Sequence, residues 1–291
     1  MGTVPGRMVS VAIPTLNGAA DLERVLTAVR SQTVEAEVVV LDSGSVDGTP
    51  EVAARHGAAV HRIHDFGHGR ARNRLMELTA GERVAFLTQD AVPASPRWLE
   101  ALLEPEAALT YGPYAAPPGA PAPLRREYAE FFAAQGDGDD GAGGLRGAFA
   151  SSANMCLRRD AWREVPFRDV PYAEDQRLAL DLLAAGHAKV FVPEAAVLHA
   201  HDYGRVERVR RWFDEFRALH EVHGFVAPAS PRVLAGTVRA EVRKDRAFDP
   251  SAPVGESIAW HAGRVLGAAL GTRSERIPAP IRARLSLERR S

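Results

Sequence analysis

Four short apolar runs, with a segment of helical spacing after each of the first three, constrain the fold of this chain more than any other feature. The segments between the runs place apolar side chains three and four residues apart. Strands that are apolar on both faces and alternate with helices are typical of a parallel sheet covered by helices. We therefore predict an α/β fold. The predicted strands are VSVAI (9–13), EVVVLD (37–42), AAVHRI (58–63) and RVAFLTQD (83–90), and the predicted helices cover residues 21–31, 49–57 and 70–81.

Polar or turn residues end each of these strands. Ligands of parallel α/β sheets bind beyond the carboxyl ends of the strands, so the four ends are expected to form one crevice. The residues at these ends are Pro14, Thr15 and Asn17, then Asp42, Ser43 and Gly44, then His64 and Asp65, and finally Thr88, Gln89 and Asp90.

Two segments at this edge suit a nucleoside diphosphate. Asp42 precedes a turn of small residues and could accept a hydrogen bond from a ribose hydroxyl or a base N–H. The alternative is a local Asx-type turn, which we favour for Asp47. The segment DFGHGRARN (65–73) places glycines and arginines at a helix start, where amides and guanidinium groups bind phosphates well. Its candidates are Gly69, Arg72 and Asn73, although such a segment can be an ordinary turn.

Asp90 is the candidate for holding a divalent cation. Mg²⁺ and Mn²⁺ prefer oxygen ligands and often keep substrate phosphates in their coordination shell. Two histidines of VLHAHDY (197–203), His199 and His201, lie on the same side of an extended segment and could complete the shell. The alternatives are that Asp90 only begins a turn and that the histidines are polar residues at a strand end.

Glu174 and Asp175 open a predicted helix and are the candidates for acid–base chemistry. Carboxylates at this position can simply satisfy the free amides of the helix N-terminus. Adjacent side chains on a helix point about 100° apart, so one can cap the helix while the other faces the crevice as a general base.

Charge and composition exclude several classes of protein. The chain has 36 Lys+Arg and 37 Asp+Glu, so it offers no overall electrostatic surface for nucleic acid. The single cysteine, Cys156, excludes an internal disulfide and a cysteine-based zinc site. We find neither a signal-peptide pattern nor a run of about 18 apolar residues, so we expect a cytoplasmic protein that is soluble or peripheral to the inner face of the plasma membrane.

The rest of the chain divides into irregular and helical parts. Residues 112–124 and 136–144 are rich in proline and glycine, and we expect them to form a mobile segment near the site. Residues 254–270 space apolar side chains along one face of a helix, which would pack on the catalytic domain or contact an anionic membrane. These side chains are Val254, Ile258, Val265 and Leu266.

In their order along the chain, the motifs resemble the inverting family 2 glycosyltransferases of GT-A fold, and the rhamnosyltransferase-like members in particular. The resemblance implies a GT-A catalytic domain over residues 8–220, built on a Rossmann-like, mostly parallel sheet flanked by helices. A helical C-terminal extension with a basic tail would occupy 221–291. The motifs are VAIPTLNG (11–18), VVVLDSGSVDGT (38–49), FGHGRARN (66–73), FLTQDAVP (86–93), SSAN (151–154), AEDQRLALDLLAAG (173–186), VLHAHDY (197–203) and RRWFDEF (210–216).

The resemblance also implies roles for individual residues. Asp175, with Glu174 beside it, matches the catalytic base. Asp90 matches the last aspartate of the DxD metal motif, and His199 matches a later metal-binding histidine. The implied cofactor is Mg²⁺ or Mn²⁺, and His201 is a weaker candidate ligand for it. The predicted nucleotide-sugar ligands are Pro14, Thr15, Asn17, Asp42, Gly69, Arg72, Asn73, Thr88, Gln89 and Asp90, and the predicted acceptor ligands are Ser152 and Asn154.

The sequence departs from the DxD pattern at Thr88, which replaces the first aspartate. Because this removes one carboxylate from the motif, it affects how tightly the metal would bind. The implied reaction moves a sugar from a dTDP-, UDP- or GDP-sugar to a hydroxyl of a glycan or lipid-linked acceptor, with inversion. Rhamnose is the sugar that the resemblance suggests.

Two other functions remain open at this point. A sugar-nucleotide nucleotidyltransferase also uses a nucleotide-binding α/β sheet, but it needs a cationic, glycine-rich loop after the first strand, and PTLNGAAD (14–21) carries no cation. A non-catalytic carbohydrate-binding protein of the same fold would not need carboxylates at both Asp90 and Asp175.

Overall fold

The computed structural model of the chain describes residues 8–135, 147, 149–170, 172–200 and 203–287. It divides into two compact units, one of residues 1–117 and 131–200, the other of residues 118–130 and 201–291. The strands among the described residues are β1 (Val9–Thr15), β2 (Glu37–Asp42), β3 (Ala59–Arg62), β4 (Arg83–Leu87), β5 (Val92–Pro93), β6 (Leu109–Tyr111), β7 (Tyr114–Ala115), β8 (Asn154–Arg158), β9 (Lys189–Phe191) and β10 (Val197–Leu198).

The α-helices are α1 (Ala19–Arg30), α2 (Thr49–Arg55), α3 (His68–Leu78), α4 (Trp98–Leu103), α5 (Ala122–Ala133), α6 (Arg159–Glu164), α7 (Glu174–Ala184), α8 (Arg205–His223), α9 (Pro231–Phe248), α10 (Val254–Gly271) and α11 (Ala279–Leu285). A 3₁₀-helix covers Ser274–Arg276.

The first unit contains a seven-stranded sheet in the order β3-β2-β1-β4-β8-β6-β9. The first four strands are parallel, which confirms the predicted α/β fold. Strand β8 pairs antiparallel with both β4 and β6, a feature that the alternating pattern did not predict. Because β4 ends at Leu87, the TQD residues lie just beyond its carboxyl end.

Both faces of this sheet are buried, as the unbroken apolar strands predict. On β1, Val11 and Ile13 belong to the core cluster that includes Leu22 and Trp98 of α1 and α4. Ala12 of the same strand belongs to the opposite cluster with side chains of α3 and α7. These two layers hold the strand ends in place at the crevice edge.

A second, three-stranded sheet in the order β5-β10-β7 belongs to the same unit. Strand β10 pairs antiparallel with β5 and parallel with β7. Strand β7 and the beginning of α5 fall within residues 112–124, so part of this segment is regular, and its mobility stays a prediction. The companion segment 136–144 lies outside the described residues.

The second unit is helical. Helices α8 and α10 pack closely because glycines face α8, and a Cβ on Gly267 would lie 2.7 Å from the Cβ of Trp212. Residue 220, the predicted end of the catalytic domain, lies inside α8, and the two compact units divide at residue 200; the assignment of a catalytic domain and an extension stays a prediction. Residues 118–130 also join this unit through buried ion pairs, which sequence patterning does not reveal. None of the described helices is long and apolar enough to span a membrane.

Candidate active site

Strands β1 and β2 bring the first two predicted strand ends together, since Thr15 lies opposite Asp42 in their parallel register. The Asp42 carboxylate is 1% exposed and accepts hydrogen bonds from the amides of Gly44 and Ser45. This geometry is the Asx-type turn that was one of the two alternatives. Contact of Asp42 with a nucleoside stays a prediction.

The loop after β1 is fastened by side chains from three other segments. The amides of Leu16, Asn17, Gly18 and Ala19 donate in turn to Gln89 Oε1, Ser45 Oγ, Thr49 Oγ1 and Asp47 Oδ2. Four successive amides are therefore occupied, and none of them is available to cradle a phosphate. Asp47 also accepts from the Thr49 amide, which is the Asx-type turn predicted for it.

Gln89 ties the end of β4 to the end of β1. Its Oε1 accepts from the Thr15 hydroxyl at 2.7 Å, and its Nε2 donates to the Leu16 carbonyl at 3.2 Å. Asn17 has φ at +49°, and its Oδ1 accepts a hydrogen bond from the Val46 amide. This bond holds the turn after β2 beside the loop after β1. The β1, β2 and β4 ends thus form one edge, as predicted. Pro14 lies in β1 and is partly exposed.

The small sheet gathers the candidate metal ligands. Asp90 precedes β5, His199 follows β10, and Tyr114 lies in β7, so the three strands place these side chains side by side. His199 Nε2 lies 3.5 Å from Asp90 Oδ1, and the His199 ring lies 4.8 Å from the Tyr114 ring.

Asp90 and His199 fit a divalent cation as a two-residue set. A carboxylate oxygen and an imidazole nitrogen at this separation can bind one ion, with phosphate oxygens and water as its remaining ligands. The described part of the chain holds no group of three or more His, Cys, Asp or Glu that could bind a metal by itself. The Thr88 hydroxyl is buried and has no hydrogen-bond partner among the described residues. His201 lies outside the described residues.

Helix α3 carries the second predicted phosphate segment. Arg72 is buried, its Nε lies 3.5 Å from Glu174 Oε1, and its guanidinium lies over the Phe86 ring. Burial lowers the pKa of Arg72, and the nearby Glu174 and Asp175 oppose that change. Its Nη1 has no hydrogen-bond partner among the described residues.

The other two candidates on α3 have structural contacts. A Cβ on Gly69 would lie 2.1 Å from the Arg168 carbonyl oxygen, so a glycine is needed for the close approach of these segments. The Asn73 amide donates to the Phe167 carbonyl and accepts from Trp162 Nε1 and the Phe167 amide. Direct contact of Gly69 or Asn73 with a nucleotide sugar stays a prediction.

The two carboxylates that begin α7 have different environments. Glu174 is 5% exposed and accepts from the Ser152 hydroxyl at 3.0 Å, in addition to its contact with Arg72. Asp175 accepts from the Ser152 amide at 2.9 Å and from the Gln176 amide at 2.8 Å. Desolvation and then the charge of Glu174 raise the pKa of Asp175 to about 6, against the opposing effects of these amides and Arg72.

Backbone geometry before this pair is unusual. Ala173 has φ at +60°, the left-handed region, in a residue with a Cβ. Such a conformation costs roughly 1–3 kcal/mol and persists where surrounding structure enforces it, commonly at functional sites. It directs the chain so that the carboxylates of Glu174 and Asp175 both reach the 151–154 segment.

A chain of contacts joins the metal side of the site to the carboxylate side. The Tyr114 hydroxyl donates to Ser151 Oγ, and the next residue, Ser152, donates its amide to Asp175. Asp90, His199, Tyr114, Ser151, Ser152 and Asp175 thus form a continuous series. Tyr114 was not a candidate from the sequence, because a lone tyrosine in a Pro-rich segment carries no recognisable motif. Ser151 belongs to the SSAN motif, of which only Ser152 and Asn154 were predicted to contact a ligand.

The two predicted acceptor ligands make internal hydrogen bonds. Asn154 is fully buried, accepts from Trp98 Nε1, and donates to the carbonyls of Pro113 and Ala195. Ser152 is buried against Glu174 and Asp175. Both residues therefore have a structural role in holding the site together, and their contact with an acceptor stays a prediction.

Comparisons with known proteins show which sequences are related to this chain. A family model described as glycosyl transferase family 2 matches residues 10–160. The chain is 29% identical over 222 residues to the O-antigen chain rhamnosyltransferase RfbN of Salmonella typhimurium, covering 71% of this chain and 70% of that protein. It is 27% identical over 221 residues to the O-antigen chain rhamnosyltransferase WbaN of Salmonella anatum, covering 70% of each.

Solved structures share the fold. A mannosyltransferase from Pyrobaculum calidifontis, in complex with GDP-Man and Mn²⁺, superimposes with a TM-score of 0.65 at 19% identity, covering 94% of this chain and 89% of that one. Glucosyl-3-phosphoglycerate synthase from Mycobacterium tuberculosis, in complex with Mn²⁺, UDP and phosphoglyceric acid, gives a TM-score of 0.55 at 23% identity, covering 77% and 81%.

Proposed function

This chain belongs to glycosyl transferase family 2, and we propose that it transfers rhamnose from a nucleoside diphosphate donor to a hydroxyl of a glycan or lipid-linked acceptor, with inversion. Its enzymatic class is that of a nucleotide-sugar-dependent glycosyltransferase. The observation that supports the proposed mechanism is the contact series from Asp90 through Tyr114 to Asp175, since it connects the proposed cation ligands to the proposed base.

Asp175 is the proposed base. Glu174 is held by Arg72 and the Ser152 hydroxyl, whereas Asp175 accepts from the Ser152 and Gln176 amides and has a pKa of about 6. A base whose pKa lies near the working pH is ionised at pH 7 and still able to accept a proton. Asp175 would take the acceptor hydroxyl proton while that oxygen attacks the anomeric carbon, in a single inverting displacement.

The donor would lie along the β1, β2 and β4 ends. Pro14, Thr15, Asn17, Asp42 and Gln89 line the proposed nucleoside side. Arg72 would aim its remaining Nη1 donor at the diphosphate while Nε stays on Glu174. The proposed ligands for Mg²⁺ or Mn²⁺ are Asp90 and His199, with His201 as the weaker candidate. When bound, such an ion neutralises charge on the departing diphosphate.

The loop after β1 argues against the nucleotidyltransferase alternative. That chemistry needs backbone amides or cations there to hold triphosphate, and in this loop the amides of residues 16–19 are already bound to side chains. The retained Asp90 and Asp175 argue against a non-catalytic carbohydrate-binding protein. A lipid-linked acceptor would also bring the enzyme to the inner face of the membrane, which we include in the proposal.

The test begins with thermal shift in UDP, dTDP and GDP, each with and without Mn²⁺, because a ligand that binds the native state raises the melting temperature. The preferred nucleotide then identifies the sugar donors for a transfer assay with glycan acceptors. We expect a dTDP preference and metal-enhanced binding, and we expect Asp175→Asn to lose transfer while it keeps nucleotide binding. Unchanged transfer by Asp175→Asn would remove the base assignment, and release of pyrophosphate would favour the nucleotidyltransferase.

A further inference from the structure

We propose that the helical unit binds bilayers containing anionic lipid through an arginine stripe on α9 and an apolar face on α10. The arginine stripe consists of Arg232, Arg239, Arg243 and Arg246, and the apolar face consists of Val254, Ile258, Ala262 and Leu266. These two features would make the membrane contact that the proposed function includes, and both belong to the helical unit.

Helical geometry aligns the four arginines. At 100° per residue they fall within an arc of about 60°, and they extend along about 21 Å of the α9 axis. All four are exposed, and within the described part of the chain none of them forms a salt bridge. Their positive charges therefore face solvent together along one line.

The acidic residues of α9 point away from this stripe and do not neutralise it. Asp245 is fully buried, where it binds Arg126 at 2.7 Å and His261 at 2.8 Å. Glu241 binds Arg126 and Lys244. Because both carboxylates bind partners inside the unit, the charged side chains that α9 exposes are cationic.

Helix α10 leaves an uncharged face in solvent. Val254, Ile258 and Leu266 are 41%, 47% and 48% exposed, so packing, one of the two roles predicted for this face, does not bury them. The helix buries its opposite, small-residue side against Trp212 and Phe213 of α8. The arc of about 120° from Val254 to Leu266 contains no charged residue.

Charge distribution along the chain supports an anionic partner. Residues 201–291 contain 17 Lys+Arg and 11 Asp+Glu, although the whole chain has a formal charge of −1. A surface that combines a cationic line with exposed aliphatic side chains suits the lipid interface, where both can be satisfied. Nucleic acid would use the arginines but gain nothing from the aliphatic face, so we favour lipid.

The test is flotation of the full chain with vesicles of phosphatidylcholine alone or of phosphatidylcholine with phosphatidylglycerol, at low and high salt. We expect binding only to the anionic vesicles, weakened by salt because screening shortens the range of the charges. Changing all four stripe arginines to Gln should reduce the partition coefficient about a hundredfold or more at low salt, since each arginine near an anionic surface contributes about fivefold.

A matched control changes Arg24, Arg55, Arg74 and Arg97 to Gln. These side chains are also well exposed, and their loss changes the net charge equally. The control should bind vesicles as the wild type does. Equal weakening of the two variants would overturn the proposal, because it would show that net charge alone governs binding. Absence of wild-type binding to anionic vesicles would also overturn it.

The apolar face has its own test, Ile258→Gln combined with Leu266→Gln, at two exposed positions that should not affect folding. We expect the pair to lose most of the binding that persists at high salt. If the wild type instead dimerises in analytical ultracentrifugation, and the pair abolishes the dimer with vesicle binding unchanged, the face is a self-association surface and its membrane role is refuted. No donor or acceptor enters these assays, so their outcome is separate from that of the transfer reaction.

Discussion

The Tyr114 ring lies 4.8 Å from the His199 ring, and the Tyr114 hydroxyl donates to Ser151 Oγ. One side chain therefore contacts both a candidate metal ligand and the segment that holds the candidate base. Phe132 packs edge-on against the same tyrosine at 5.3 Å and restrains its ring. We assign Tyr114 a positioning role, because it sets the relative placement of two groups that would act on opposite sides of the transferred sugar.

Tyr114→Phe should keep the ring contact with His199 and lose only the bond to Ser151. We expect kcat to fall about 2–10-fold with little change in donor KM, the effect of losing one hydrogen bond that contributes about 0.5–1.5 kcal/mol. Steady-state kinetics measure it. Tyr111→Phe is the control, since it removes another hydroxyl of the same unit, one that donates to Gln135 and accepts from Lys189. Equal losses in the two variants would indicate a structural effect only.

The pH dependence of transfer should report the ionisation of Asp175. The base must be deprotonated, so kcat/KM should rise with pH up to about 6 and then level off. Glu174→Gln removes a negative charge that raises the pKa of Asp175, so the acidic limb should move to lower pH. Profiles of both proteins measure this shift. A limb that stays in place, or moves to higher pH, would contradict the assignment of Asp175 as the titrating base.

Asp90→Asn should remove metal-enhanced nucleotide binding. A neutral amide is a poor ligand for Mn²⁺, and His199 alone cannot hold the ion well. We expect the extra thermal shift that Mn²⁺ gives with a nucleoside diphosphate to disappear, while the shift with nucleotide alone remains. Asp65→Asn is a matched control, because Asp65 is another strand-end aspartate that is strongly exposed. Loss of the metal effect in both variants would point away from a site at Asp90.

The sequence predicts the parallel strands and their polar ends well, because these follow from local periodicity and from the general position of ligands in α/β sheets. The antiparallel β8 and the small sheet were not predictable in this way. Their strands are two to five residues long, and their pairing depends on contacts between distant segments. Tyr114 became a candidate only when those contacts were known.

Amphipathic patterning left two roles open for one face of α10. The spacing of Val254, Ile258 and Leu266 suits either packing on the catalytic domain or contact with a membrane, and in the structure these side chains are exposed while glycines on the other side of α10 pack against α8. Small residues bury little area themselves, so they give a weak signal in a hydrophobicity pattern. The contacts of individual site residues also could not be read from the sequence. Asn154 belongs to a motif, yet its side chain accepts a hydrogen bond from the buried Trp98.

Asn154→Ala should affect stability first. It leaves the Trp98 Nε1–H without its acceptor and removes the donor to the Ala195 carbonyl, whereas the Pro113 carbonyl keeps its bond from the Val197 amide. We expect the free energy of unfolding to fall by about 2–4 kcal/mol, as for other losses of buried hydrogen-bond networks. Urea denaturation measures it, with Ser152→Ala as a comparison that should lose less. Full stability combined with a raised acceptor KM would instead establish the predicted acceptor contact.

The buried ion pair between Arg126 and Asp245 should be among the most sensitive positions of the helical unit. Arg126 is 2% exposed, and Asp245 supplies its most buried partner as well as the acceptor for His261. Removing one member of a buried pair leaves an uncompensated charge and typically costs about 3–5 kcal/mol. We therefore expect Asp245→Ala to lower the free energy of unfolding by about that amount.

Glu130→Ala is the matched control for Asp245→Ala, because Glu130 contacts the same arginine from a side chain that is 55% exposed. An exposed ion pair contributes about 0–1 kcal/mol, so this variant should unfold almost as the wild type does. Chemical denaturation of both variants gives the comparison. Similar losses of unfolding free energy in the two variants would contradict this prediction. They would mean that all the carboxylates around Arg126 stabilise it together, and that solvent reaches the buried pair.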